Sequence, residues 1–306
     1  MREKEFIDII KATLNSEYIG DDCAYLKDLG IVVTQDSLVE DVHFSMKYTS
    51  PYQLGYKSIA VNISDICASG AEPKYITIAL SLPNYADNNF IEQFYKGAKS
   101  ATFGAKIVGG DITGADKIYI SVAAIGSTIN RKISARNNAK IGQKIVISGN
   151  HGSSAAGFDL LQGKTMPNLS QEAKTNFINA HLIPEPQIEF SRKISLTQKS
   201  NYAMMDTSDG LADALNEIAK ASGVLLEVEF DKIPHISDIE KIQNYENYIL
   251  YGGEDYGLVA TVDNHSDMIV IGEVKEGHGV KINYKNKSEI LTKENIEKNL
   301  YNHFKE

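Results

Sequence analysis

Aspartates recur in this chain beside glycine, serine or threonine where apolar runs meet turns. The instances are Gly20-Asp21-Asp22, Thr34-Gln35-Asp36, Asn62-Ile63-Ser64-Asp65, Gly109-Gly110-Asp111 and Asp206-Thr207-Ser208-Asp209-Gly210. Carboxylates at strand ends project into the loop layer, where sites are assembled on a rigid scaffold. Any one of them reads equally well as a turn or helix-cap residue, roles that Asp fills without function. Gathered in one place they repel, and cations must hold them together. Hard oxygen donors of this kind suit Mg²⁺, which takes one or two carboxylates and leaves positions for water and phosphates. That chemistry is a nucleotide reaction with metal ions as the clamp.

The segment from Asp206 to Gly210 is the strongest local case. A strand delivers Asp206, Ser208 or Asp209 is expected to cap the helix starting near Leu211, and that helix N-terminus offers N–H groups and partial positive charge to a phosphate. Gly109-Gly110 permits close backbone approach to a ligand just before Asp111. Gly163-Lys164-Thr165 looks like the end of a phosphate-binding loop, but five residues separate Gly157 from Gly163 where the motif needs four, so Lys164 reads as a solvated helix-end lysine. Gly149-Asn150-His151-Gly152 lacks dinucleotide-loop spacing. The 7 histidines form no zinc pattern, no nucleophile elbow is present, and neither Cys23 nor Cys67 has a catalytic setting.

The elements that must position these residues alternate between strand and helix. In the first half, strands are expected at Ile31–Thr34, Tyr75–Leu82, from Lys106, and at Lys117–Ile129, with helices at Tyr52–Ser69 and Asn89–Ala101. A polar stretch from Arg131 to Gln143 marks a boundary, giving domains at 1–138 and 139–306. The second half repeats the mixture: strands at Ile145–Ser148, Ala203–Met205, Val224–Phe230 and Leu258–Val262, and helices through Leu161 and at Leu211–Ala221. The opening residues place Phe6, Ile9, Ile10 and Leu14 on one helical stripe, which is not the unbroken apolar run of a signal peptide.

A length of 306 residues suits two domains. With 31 basic and 40 acidic side chains the formal charge is −9, which argues against nucleic acid and against an anionic membrane surface. Two cysteines form no disulfide framework, and no stretch spans a bilayer, so the expected location is cytoplasmic.

Taken in order, Gly20-Asp-Asp-Cys23, Thr34-Gln-Asp-Ser-Leu-Val-Glu-Asp-Val-His-Phe44, Ala60-Val-Asn-Ile-Ser-Asp65 with Ala68-Ser-Gly-Ala-Glu-Pro73, Gly109-Gly-Asp111, Asp206-Thr-Ser-Asp-Gly-Leu211 and Gly252-Gly-Glu-Asp-Tyr256 resemble the thiamine-monophosphate kinase family. The end, Tyr301-Asn-His-Phe304, also resembles that family's ending. The resemblance implies a mixed αβ, PurM-like fold of two αβ domains that dimerises through the N-terminal sheet. It implies transfer of the ATP γ-phosphoryl group to thiamine monophosphate in a cleft between the domains. By position, Asp22, Thr34, Asp36, Asp65, Asp111, Asp206 and Asp209 are the expected Mg²⁺ ligands, with Asp111, Asp206 and Asp209 central to catalysis. Tyr95, Gly110, Asp111, Arg136 and Ser208 are expected on ATP, and His43, Glu254 and Tyr301 on thiamine monophosphate. Gln35 stands where Thr is common, and Gly257 replaces an acidic residue. Related enzymes of the superfamily fit less well, because this chain ends without the cysteine of the hydrogenase-maturation dehydratase and Cys23 is not the nucleophile of a selenophosphate synthetase. The motifs also match the purine-pathway synthetase less closely. A metal- or nucleotide-binding protein without turnover is the alternative of another class.

Overall fold

The computed structural model describes residues 2–285 and 287–300. The first unit runs α1 (Arg2–Leu14), β1 (Ala24–Leu26), β2 (Ile31–Val39), α2 (Pro51–Ser69), β3 (Glu72–Leu82), α3 (Asn88–Ser100), β4 (Lys106–Gly114) and β5 (Tyr119–Ser127). Its five strands lie in the order β1-β2-β5-β3-β4, with β3 and β4 parallel and the other pairs antiparallel. The second unit runs β6 (Lys144–Ile147), α4 (Ser153–Leu161), α5 (Gln171–Leu182), α6 (Ile188–Thr197), β7 (Ala203–Asp206), α7 (Leu211–Ser222), β8 (Leu225–Glu229), α8 (Tyr245–Tyr251), β9 (Leu258–Val262), β10 (Ile269–Lys275), β11 (Gly279–Tyr284), β12 (Lys287–Leu291) and α9 (Lys293–Asn299). Its sheet is ordered β12-β11-β8-β10-β6-β9-β7. The mixed αβ architecture expected from the alternating pattern is therefore present in both halves. No described helix is long and apolar enough to cross a membrane.

Helix α2 is the centre of the molecule. Ser50 and Gln53 form a reciprocal capping box at its start, Pro51 opens the first turn, and Gly70 closes it in the left-handed region at φ 82°. One side of α2 packs on the inward residues of the first sheet, such as Val32, Ile78 and Val122. The same apolar cluster includes Val146, Tyr202, Met204, Leu258 and Ala260 from the second unit, so the two sheets share a core through this helix. Two glycines let α3 approach it at backbone distance. A Cβ on Gly55 would lie 1.9 Å from the Phe94 carbonyl oxygen, and one on Gly97 would lie 1.9 Å from that of Tyr52.

The apolar residues predicted on α1 do not enter a core. Phe6, Ile9, Ile10 and Leu14 are exposed, and α1 is tied down instead by Lys4, which donates to Asp213 and Glu217. The strand expected to end at Thr34 runs on to Val39, because Val32, Thr34, Asp36 and Leu38 continue a period-two alternation toward α2. Asp36 consequently sits inside a strand, Asp65 inside α2 and Asp111 inside β4, rather than at element ends. Of the principal aspartates, Asp206 closes its strand as expected.

Because Gly55 meets peptide backbone and not a flexible side chain, Gly55→Ala is expected to destabilise the fold by about 1–3 kcal/mol. Denaturant unfolding of the variant checks this; an unchanged midpoint would show that α2 and α3 can separate freely.

Candidate active site

Three carboxylates converge where the two units meet. Asp22 comes from the loop before β1, Asp65 from α2 and Asp206 from the end of β7, and they offer oxygens that all lie within 4.8 Å of one another. The fold holds each in place. Ser64 Oγ donates to Asp206 Oδ2 at 2.7 Å, Thr34 Oγ1 donates to Asp65 Oδ2 at 2.6 Å, and the Arg136 guanidinium pairs with Asp22 Oδ1 at 2.7 Å. Asp36 is tied to α2 through its own N–H, which donates to Asn62 Oδ1 at 3.1 Å.

These groups disfavour one another's charge. Burial and then the neighbouring carboxylates push Asp65 well above the ordinary range, Asp206 to about 7, and Asp36 to about 6. Burial also raises Asp22, against the pull of Arg136. Asp209 lies in the turn after Asp206, close enough to raise Asp36. A cluster of buried, mutually repelling oxygen donors is the donor set of a hard divalent cation, so the residues fit Mg²⁺. Beside it opens a cavity of 690 Å³, lined among others by Asp21, Asp22, Cys23, Tyr25, Ser69 and Ser134.

The turn from Thr207 to Gly210 differs from expectation in one respect. The N-cap position of α7 is held by Gly210, at φ 107°, rather than by Ser208 or Asp209. The partial positive charge at the start of this twelve-residue helix faces the turn that carries Ser208 and Asp209 and favours an anion there. At α4 a side chain already fills that place. Asp255 accepts from the N–H groups of Gly152 and Ser154 at 2.5 and 2.8 Å, so the loop from Gly149 to Gly152 already carries a carboxylate and is no phosphate loop. Lys164 is not simply solvated: it donates to Asp159 and the Tyr248 hydroxyl, both at 2.7 Å.

Glu254 and Tyr256, on either side of Asp255, both adopt left-handed φ values, 62° and 50°. That backbone sends Asp255 to α4 and leaves Glu254 facing the other way, where the Glu254 N–H donates to the Ser208 carbonyl at 2.7 Å. The Glu254 carboxylate pairs with Lys57 Nζ at 3.1 Å and lies 3.2 Å from His181 Nδ1. Burial pushes Glu254 up, but Lys57, His181 and His43 together hold it below the usual carboxylate range. His43 Nδ1 accepts the Val39 N–H at 3.0 Å.

Other expected site residues are set apart. In register across the first sheet, Ser37, Ser121, Ala79 and Asp111 form one row on the face away from α2. Asp111 is thus three strand spacings, about 14 Å, from β2 and on the opposite face from Asp36. Gly110 is needed structurally, since a Cβ there would lie 1.8 Å from the Ile78 carbonyl oxygen. Tyr95 follows Phe94, which packs at Gly55, ten residues and about 15 Å along α2 from Asp65. Tyr301 lies outside the described residues. Gly257 has no room for the acidic residue usual there: a Cβ would lie 2.6 Å from the Ser148 carbonyl oxygen and 2.7 Å from the His151 ring. Lys57 and His181 were not signalled, because a lone helix lysine and a lone histidine read as surface residues in sequence.

Residues 20–128 match the family model for the AIR synthase related protein N-terminal domain, and residues 140–285 the model for its C-terminal domain. Thiamine-monophosphate kinase of Bacillus subtilis (strain 168) is 38% identical over 304 residues, covering 94% of this chain and 93% of that protein. The chain belongs to the thiamine-monophosphate kinase family. Its relative of the same name from Aquifex aeolicus (strain VF5) is 37% identical over 305 residues, covering 93% of this chain and 97% of that protein. A solved family structure, AaThiL complexed with AMPPCP and TMP, superposes with a TM-score of 0.82 at 36% identity, covering 92% of this chain and 93% of that one.

His151 gives the site's surroundings a pH signature. It is fully buried, neither ring nitrogen has a partner among the described residues, and burial pushes its pKa from 6.5 down to about 4. Between those values the unfolded chain takes up a proton that the native one refuses, so stability falls as pH falls from 6.5 toward 4. The raised aspartates act with the opposite sign, so the comparison must be between variants. His151→Gln is expected to remove a slope of up to about 1.4 kcal/mol per pH unit in that window. Parallel stability–pH curves for the two proteins would contradict it.

Proposed function

We propose that this chain transfers the γ-phosphoryl group of ATP to thiamine monophosphate, giving thiamine diphosphate and ADP. The observation that carries the reading is a family match along nearly the whole chain, joined to a buried carboxylate triad at the junction of the two units. Asp22, Asp65 and Asp206 hold Mg²⁺ in this reading, with Thr34, Asp36 and Asp209 around them. When bound, Mg²⁺ supplies positive charge for the β- and γ-phosphates of ATP.

The acceptor is a phosphate monoester with a second pKa of ~6, so near pH 7 its attacking oxygen is already largely ionised. The chain needs no general base, in keeping with His151 and His181, whose burial pushes both down to about 4. What remains is to bring two polyanions together in line. Arg136 adds a fixed positive charge beside Asp22, and the N-terminus of α7 adds partial positive charge beside Ser208. Glu254 and His43 stand on the acceptor side, and the cytoplasm, where ATP is made and used, is the location in this reading.

The first sheet supports a homodimer. Its face opposite α2 bears the exposed rings of Tyr75 and Tyr119, and the edge strand β4 leaves Val108 and Ile112 57% and 60% exposed. An unpaired apolar edge of this kind is covered in stable proteins. In a dimer built there, Asp111 meets a second copy, so its expected role on metal or ATP is exercised across the interface.

Incubation with ATP, Mg²⁺ and thiamine monophosphate should yield thiamine diphosphate, whereas free thiamine, whose hydroxyl would need a base, should not react. ATP binding without product would favour the binding-protein reading. Asp206→Asn should lower kcat by about 100-fold or more; near-normal turnover at saturating Mg²⁺ would remove Asp206 from the metal site. Asp111→Asn should also be crippled, and subunit exchange between the two inactive variants should restore turnover if Asp111 acts across a dimer. No recovery from mixed subunits would place its role within one chain.

A further inference from the structure

Lys57 is a charged side chain in the interior of the protein, only 2% exposed, and the site residues carried over from the family leave it without a task. Its ammonium group reaches out of α2 to Glu254, 197 residues away in the second unit. His181 of α5 approaches the same carboxylate and lies 3.1 Å from Ser154 Oγ on α4. A buried lysine–carboxylate pair contributes little net stability, since desolvation offsets the attraction. Its arrangement nevertheless has a consequence. Both neighbours fall on Oε2 of Glu254, whose side chain remains 28% exposed, and His43 adds a further favourable charge near the carboxylate. Lys57 and Ser64 are one heptad apart on one face of α2, about 10 Å. Ser64 holds Asp206 of the carboxylate triad while Lys57 holds Glu254, so a single helix spaces the two stations.

We propose that Lys57 and His181 are positioning residues that fix Glu254 by one oxygen so that the other accepts from the amino group of the acceptor's heteroaromatic ring remote from its phosphate. Residues at the Ser64 end then meet the phosphates, and the spacing along α2 selects an acceptor whose phosphate and nitrogen-rich ring lie that far apart. The inference rests on thiamine monophosphate being the acceptor.

The test is steady-state kinetics on the full chain with ATP, Mg²⁺ and thiamine monophosphate. Lys57→Met, which keeps the length and removes the charge, should raise KM for thiamine monophosphate roughly tenfold or more. KM for ATP and kcat should each change by less than about threefold, within half a decade. His181→Gln should raise the same KM by a smaller factor. In a Glu254→Gln background, Lys57→Met should add nothing further, because the group it positions is already gone. An unchanged KM for thiamine monophosphate, equal losses for both substrates, or additive effects in the double variant would each overturn the proposal. Should Lys57→Met fail to fold, His181→Gln and its double variant with Glu254→Gln are read by the same criteria. Absence of thiamine diphosphate from the unaltered chain would instead overturn the reading on which this one rests.

Discussion

A helix with protein on every side is the constraint on which this molecule turns. Helix α2 packs against the first sheet on one side and against β7, β9 and α6 of the second unit on the other. Most helices so enclosed are apolar all round. This one carries Lys57, Asn62, Ser64 and Asp65 in its buried length, and each must find a partner or forfeit several kcal/mol. The partners are what join the chain together: Asn62 takes the Asp36 N–H, Ser64 gives to Asp206, Asp65 receives from Thr34, and Lys57 meets Glu254. The need to satisfy buried polar groups thereby draws residues from four distant stretches of sequence to one seam.

That seam contains a deliberate imbalance. Arg136 answers Asp22, and Lys57 answers Glu254, but among the described residues the donors to Asp65 and Asp206 are neutral: the Thr34 hydroxyl for Asp65, the Ser64 hydroxyl and the Ser208 N–H for Asp206. Neutral donors can satisfy lone pairs without neutralising charge, so the carboxylates remain poised between protonation and a cation. Glu254, with its own lysine, is held below the usual carboxylate range. Two carboxylate environments on one helix face are thus set for different tasks by what stands beside them.

Most of the elements were legible because their periods are clean. Helix α2 shows its caps and its apolar recurrence, and β5 alternates inward and outward residues along its whole length. The motif aspartates were legible as a set, since glycine and small residues mark them, and Asp22, Asp65 and Asp206 do meet. What was not legible depends on distance across the fold. Asp111 has the same local appearance as the others, yet the β3–β4 register turns it to the far face. His181 lies on a helix whose buried stripe is only Ala173, Phe177, His181 and Leu182, too thin a signal to read. Lys57 looks like any solvated lysine until its partner, far along the chain, is in place.

The close helix contacts explain why so polar a seam can be held rigidly. Gly55 and Gly97 bring α2 and α3 to backbone contact, and Gly157 does the same for α4 against α5, where a Cβ would lie 2.0 Å from the Phe177 carbonyl oxygen. One pair fixes the helix that carries Lys57 and Asp65; the other fixes His181 beside Ser154. Left-handed backbone at Glu254 and Tyr256 then sends Glu254 to α2 and Asp255 to α4 from adjacent positions. Docking of the two units and assembly of the site are therefore one event. A change that loosens α2 acts on the carboxylate triad and on Glu254 together.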